Sequence, residues 1–105
     1  MNVEKVISYC LSKDNVYQDY PFGPEPLALK VNHRMFVMIS SKTGKPAVSV
    51  KCDPFVAQTL RNQYPSIEAG LDPKKRDWNT ITLDGSVPEE ELYWMIDHSY
   101  ELATK

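Results

Sequence analysis

The sequence predicts a single two-layer α+β domain in which amphipathic helices cover one face of an antiparallel sheet. Apolar residues recur at helical spacing near both ends of the chain and in its middle, and they alternate at strand spacing in between. The links between the first three strands are too short for any pairing except antiparallel. The 105 residues, 42% of them hydrophobic, suffice for one modest core. Residues 1–105 are therefore interpreted as one domain with the order α-β-β-β-α-β-β-α.

The first predicted helix begins at Val3 with an apolar stripe at positions i, i+3, i+4, i+7 and i+8. Asn2 is suited to cap it, and the helix is expected to end near the stretch Ser12–Asn15. The next segment, Tyr17 to Pro26, is interpreted as irregular because three prolines fall in its last six positions. Three short strands are then expected: Leu27–Val31, Met35–Ile39 and Ala47–Lys51.

The second half of the chain contains two clear helix starts. Asp53 followed by Pro54 combines a capping side chain with a proline at the first helical position, and this helix should stop before Pro65. Ser86 and Glu89 have the spacing of a capping box, which predicts the start of the last helix. Two further strands are expected between these helices: Ile67–Gly70 and Trp78–Leu83.

Composition excludes several classes of protein. No apolar run approaches the ~18–20 residues of a membrane span, and the first residues do not resemble a signal peptide, so a cytoplasmic location and no membrane partner are expected. Cys10 and Cys52 are interpreted as reduced, partly buried thiols, since no Cys-x-x-C motif or nearby His suggests a metal. Phosphate-binding and zinc-hydrolase motifs are absent from the sequence. We therefore expect a non-catalytic protein without metal or cofactor.

Charge is unevenly distributed along the chain. The stretch Pro26–Cys52 carries a net charge of +5 with no acidic residue, and residues 74–76 add +3, although the whole chain is at −2. Basic side chains at turns can contact DNA phosphates. The candidate nucleic-acid-binding residues are Arg34, Lys42, Lys45, Lys74, Lys75 and Arg76. Alternatively, these are solvated turn and edge-strand residues, and the pI of 5.6 is low for a dedicated DNA-binding protein.

Two other binding modes remain open from the sequence. Tyr20 and Phe22 could form a small-molecule or peptide pocket with Trp78, or this aromatic loop could simply cover one end of the sheet. Alternatively, the chain is a protein-interaction module or a homodimer without nucleic-acid affinity, because a two-layer domain leaves one sheet face available to a partner or a second copy.

Four stretches, in order along the whole chain, resemble the MmcQ/YjbR family: Tyr20–Pro24, Met35–Ser40, Trp78–Pro88 and Asp97–Leu102. The resemblance implies an α-β(3)-α-β(2)-α fold, likened to secretion chaperones and described as a DNA-binding-like double wing, and it implies no particular reaction. The family pattern before the tryptophan is Asn-Lys-x-His-Trp. Asp77 stands where the His is usual and Lys74 where the Asn is usual, so no role for that imidazole is expected here.

Overall fold

The computed structural model describes residues 2–21, 23, 26–40, 45–70 and 77–105. Its helices are α1 (Val3–Leu11), α2 (Pro54–Gln63) and α3 (Glu89–Thr104). Its strands are β1 (Tyr17–Asp19), β2 (Leu27–Val31), β3 (Arg34–Ser40), β4 (Ala47–Lys51), β5 (Ile67–Ala69) and β6 (Trp78–Thr82). The predicted α+β class is confirmed, and the element order matches the prediction apart from one additional strand.

The additional strand is β1, in the segment that the sequence predicts to be irregular. Its Tyr17 pairs with Lys30 of β2 in antiparallel register. Asn15, at a positive φ of 64°, turns the chain from α1 into this strand. The prediction was wrong for Tyr17–Asp19 because the prolines begin only at Pro21, and an edge strand needs hydrogen bonds on one side alone.

The starts of α1 and α2 follow the predicted capping chemistry. The side chain of Asn2 accepts a hydrogen bond from the Lys5 amide at 2.8 Å. Asp53 Oδ1 accepts one from the Phe55 amide at 3.0 Å, and Pro54 occupies the first helical position. Both side chains satisfy amides that the helix itself leaves unpaired.

The start of α3 differs from the prediction. The helix begins at Glu89, and its capping position is Pro88, which makes no side-chain capping bond. Ser86 is engaged elsewhere: its amide donates to Asp84 Oδ1 at 2.9 Å, and its Oγ lies 2.6 Å from the same oxygen. This local turn takes the serine side chain that the capping box required, so that prediction was wrong.

All strands pair antiparallel in one sheet of order β1-β2-β3-β4-β6-β5. The register places Val37, Val50 and Asn79 on one face. That face carries the helices: α3 and α1 pack on β2, α3 also packs on β3 and β4, and α2 packs on β5 and β6. Asn79 Nδ2 donates to the carbonyl of Ala57 in α2 at 3.2 Å. The expected two-layer arrangement is therefore present.

Ser99 fixes α3 to the centre of the sheet. It is fully buried, and its Oγ accepts a hydrogen bond from the Lys51 amide at 3.0 Å while donating to the Phe36 carbonyl at 2.6 Å. These groups lie next to the last paired residues of β3 and β4, Val37 and Val50. The serine therefore satisfies two backbone groups where that ladder ends.

Candidate functional site

The predicted nucleic-acid residues do not converge in the part of the chain that the structure describes. Arg34 begins β3, whereas Lys45 lies just before β4. These two positions are at opposite ends of the sheet, separated by the length of β3, about 20 Å at ~3.3 Å per residue. The remaining four candidates, Lys42, Lys74, Lys75 and Arg76, lie outside the described residues.

The basic side chains of β2 and β4 contact carboxylates. Lys30 Nζ lies 2.7 Å from Asp19 Oδ2, and Lys51 Nζ lies 3.8 Å from Asp77 Oδ2. The hydrogen bond from Lys30 lowers the pKa of Asp19 below its ordinary value. Each of these two strand lysines therefore has an acidic neighbour, which weakens its attraction for a phosphate group.

Arg34 and Lys45 also have partners. Arg34 Nη1 donates to the carbonyl of Lys105 at the end of α3 at 3.0 Å. The pKa of Asp84 is lowered, first by hydrogen bonds from Ser86 and to a lesser degree by the charge of Lys45. Both basic residues are exposed, but each also interacts with another residue of this chain.

Of the two alternatives for the aromatic loop, a pocket between Tyr20 and Trp78 does not form. Tyr20 follows the edge strand β1 and is 52% exposed, whereas Trp78 begins β6 and is 7% exposed. Strands β2, β3 and β4 lie between them, a separation of roughly 19 Å at the usual strand spacing. Phe22 lies outside the described residues.

A different apolar site lies between α2 and α3. A groove of about 450 Å³ separates these helices, and we refer to it as the α2–α3 groove. Its walls are formed by Phe55, Val56, Thr59 and Leu60 from α2 and by Glu90, Glu91 and Trp94 from α3.

Two large aromatic side chains of this groove are exposed. Phe55 is 80% exposed and Trp94 is 48% exposed, while Leu60, deeper in the groove, is 6% exposed. Neither residue was predicted from the sequence, because the apolar spacing in each helix indicates only its buried stripe. Phe55 lies one position before Val56, which belongs to the apolar stripe of α2. Trp94 lies one position before Met95, which is buried in α3. A large aromatic outside the core-facing stripe is the signal that could have found both.

Trp94 is linked through His98 to Asp53, the residue that caps α2. Its indole stacks on His98, with ring centroids 5.1 Å apart and planes within 9°. His98 Nε2 accepts a hydrogen bond from the Asp53 amide at 3.1 Å. Asp53 in turn binds the Phe55 amide. Both aromatic walls are therefore anchored to one helix junction.

The groove is acidic on its α3 side. Glu90 and Glu91 line it, and together with Glu89 they occupy the first turn of α3, where the helix dipole favours negative charge. No Lys or Arg is among the described residues that line the groove. An apolar side chain with a cationic neighbour matches these walls chemically.

The other reactive-looking side chains support the fold. Tyr9 stacks on Tyr93 with centroids 4.0 Å apart and donates its hydroxyl to Asp97 at 2.7 Å. Burial and then the Asp97 bond raise the pKa of Tyr9 to about 12. Burial likewise raises the pKa of both Cys10 and Cys52 to about 12, so these thiols are poor nucleophiles at neutral pH.

The described ranges contain neither a metal-binding cluster nor a membrane-spanning helix. No cluster of His, Cys, Asp and Glu in them could hold a metal ion. No helix in them is long and apolar enough to cross a membrane.

These features define a small two-layer α+β protein with an exposed aromatic groove between its last two helices. The family model YjbR matches residues 11–102. The chain belongs to the YjbR family, which confirms the resemblance to MmcQ/YjbR proteins seen in the sequence.

Individual relatives agree over nearly the whole chain. The uncharacterized protein YjbR of Escherichia coli strain K12 is 31% identical over 103 residues, covering 98% of this chain and 87% of its own. The crystal structure of Deinococcus radiodurans protein DR2400, with a DUF419 domain, has a TM-score of 0.91 and 34% identity, covering 99% of this chain and 79% of that one. A Pseudomonas syringae crystal structure shares the fold alone, with a TM-score of 0.84 and 20% identity over 98% of this chain and 99% of that one.

Proposed function

We propose that this chain is a protein-interaction module whose α2–α3 groove receives an apolar side chain from a segment of another protein. The observation that carries the proposal is the pairing of Phe55, 80% exposed, with Trp94, 48% exposed, on the walls of one groove. Single exposed apolar residues are ordinary, but large aromatics that share a concave surface are typical of interaction sites. The groove is also held in a defined shape through Asp53 and His98, which lowers the entropic cost of binding.

The charge of the groove favours a polypeptide over a nucleic acid. Glu90 and Glu91 would repel phosphates, whose contacts provide most of the affinity of non-specific nucleic-acid binding. Hydrophobic contact with Phe55, Val56 and Leu60 would instead favour an apolar side chain.

A random peptide library displayed on phage tests this proposal. We expect enrichment of apolar sequences on the wild-type chain and loss of the selected clones on a Phe55→Ser or Trp94→Ser variant. Tyr20→Ser is the matched control, because Tyr20 is also an exposed aromatic, at 52%, and follows the edge strand β1 at the opposite edge of the sheet from α2. Selected clones that bind all variants equally, or a library without enrichment, would contradict the proposal.

Nucleic-acid binding remains a second prediction, supported by the two basic segments that together carry +8. It requires Arg34, Lys42, Lys45 and the 74–76 run to act on one duplex. A salt titration of duplex DNA starting near 50 mM, where phosphate contacts are strong, tests it. We expect binding there that weakens on Lys42→Glu/Lys45→Glu charge reversal; no binding at this salt, or unchanged affinity of the variant, would exclude it.

A further inference from the structure

We infer that the occupant of the α2–α3 groove is a short basic segment of a different protein, in which one apolar anchor residue is flanked by Lys or Arg. This inference rests on the proposed function and specifies the chemistry of its partner. It follows from three properties of the groove: its charge, its size and its behaviour under two-fold symmetry.

Charge complementarity defines the flanks of the segment. Glu90 and Glu91 form the acidic part of the α3 wall, so a Lys or Arg beside the anchor would face opposite charge. The half-exposed indole of Trp94 offers a second site for the same cation, because ammonium and guanidinium groups bind favourably over the face of a Trp ring. An acidic segment would meet like charge at the same wall and should be rejected.

The size of the groove limits the occupant to a short segment. A volume of about 450 Å³ lies in the lower part of the roughly 300–1,000 Å³ range of ligand pockets. A typical interface between two folded proteins involves about 20–30 residues on each side, far more than the seven that line this groove. An anchor side chain and its immediate neighbours fit this space, whereas a folded partner would need additional surface.

A second copy of this chain is a poor match for the groove. In a two-fold symmetric dimer the same patch faces itself, which would bring Glu90 and Glu91 of one copy towards those of the other. Like charges placed opposite each other at an interface oppose association. A head-to-tail contact would avoid this repulsion but would extend into open chains unless its rotation closed a ring.

The test uses three matched sets of short fluorescent peptides with acetylated and amidated ends. Every set carries the same central anchors (Leu, Ile, Met or Phe), flanked by Lys and Arg in the first set, Ser in the second and Glu in the third. Binding is measured by fluorescence polarisation with the wild-type chain, a Glu90→Gln/Glu91→Gln variant, Phe55→Ser and the control Tyr20→Ser. Circular dichroism confirms that each variant is folded.

We expect the basic set to bind at least about 10-fold more tightly than the neutral set, equivalent to ~1.4 kcal/mol, and the acidic set not to bind. The double glutamine variant and higher salt should remove most of this preference, and Phe55→Ser should weaken all binding. Tyr20→Ser should behave as wild type.

The possible failures are distinguishable. Equal binding of neutral and basic peptides that is lost in Phe55→Ser would overturn the inference about charge and leave the proposed function standing. No binding in any set would overturn both. Light scattering that shows a concentration-dependent dimer, abolished by Phe55→Ser, would identify a second copy as the occupant and overturn the inference.

Discussion

Replacing Phe55 with Ser should separate binding from folding. Phe55 is 80% exposed, so only about a fifth of its surface contributes to stability. Complete burial of a Phe side chain stabilises a protein by about 1.5–3 kcal/mol. Loss of the buried fifth should therefore lower the free energy of unfolding by roughly 0.3–0.6 kcal/mol. Phe and Ser have similar helix propensities, so the substitution adds little cost of its own.

Leu60→Ala is the matched perturbation from deeper in the same groove. Leu60 is 6% exposed, and truncation of a buried Leu to Ala typically costs about 2–5 kcal/mol. The two substitutions therefore remove apolar surface from one helix with effects on stability that differ several-fold.

Urea denaturation followed by circular dichroism measures this difference. With a slope of about 1.5 kcal/mol per M, Phe55→Ser should lower the midpoint by roughly 0.2–0.4 M and Leu60→Ala by more than about 1.3 M. The binding of apolar peptides should nevertheless be lost in Phe55→Ser. A midpoint shift for Phe55→Ser comparable with that of Leu60→Ala would refute this reasoning, because Phe55 would then be a structural residue.

Three further perturbations test other parts of the structure. Ser99→Ala should cost about 2–4 kcal/mol, since it leaves two backbone groups without a partner, and should speed hydrogen exchange at the Lys51 amide; a change below ~0.5 kcal/mol with unchanged exchange would contradict the bridging role. Because burial raises the pKa of Cys10 and Cys52 from 9.0 to about 12, their contribution to stability is complete below pH ~9 and is lost as the pH rises towards 12. Above pH ~9 the free energy of unfolding should fall by about 1.4 kcal/mol per pH unit for each thiol. A double Cys→Ala variant should show a shallower fall in the free energy of unfolding at alkaline pH; an identical fall would contradict this assignment. Lys30→Met should raise the lowered pKa of Asp19 towards its ordinary value in a carboxyl NMR titration; an unchanged titration would show that the ion pair does not form in solution.

Local signals in the sequence predicted most of the fold. The capping residues Asn2 and Asp53 act on backbone amides within three positions, so the sequence predicted both helix starts correctly. Strand β1 was missed because the prolines that follow it made the whole segment appear irregular, and its pairing with β2 is a tertiary contact. The prediction that Ser86 caps α3 was wrong because the Ser86 side chain forms a hydrogen bond with Asp84 instead.

The candidate site was harder to predict than the fold. The groove depends on the distance between α2 and α3, which no periodicity within either helix encodes. The acidic residues Glu90 and Glu91 have a sufficient local explanation in the helix dipole, so they gave no reason to expect a site. Only the position of Phe55 and Trp94 outside the buried stripes hinted at it.

The tryptophan fluorescence of the folded chain tests the central claim most directly. The chain has two tryptophans, and Trp78 is 7% exposed whereas Trp94 is 48% exposed. Titration with the basic apolar peptides should shift the emission to shorter wavelength as Trp94 loses water, and the shift should disappear in Trp94→Phe. Emission that stays constant throughout the titration, or a shift that persists in Trp94→Phe, would contradict binding in the α2–α3 groove.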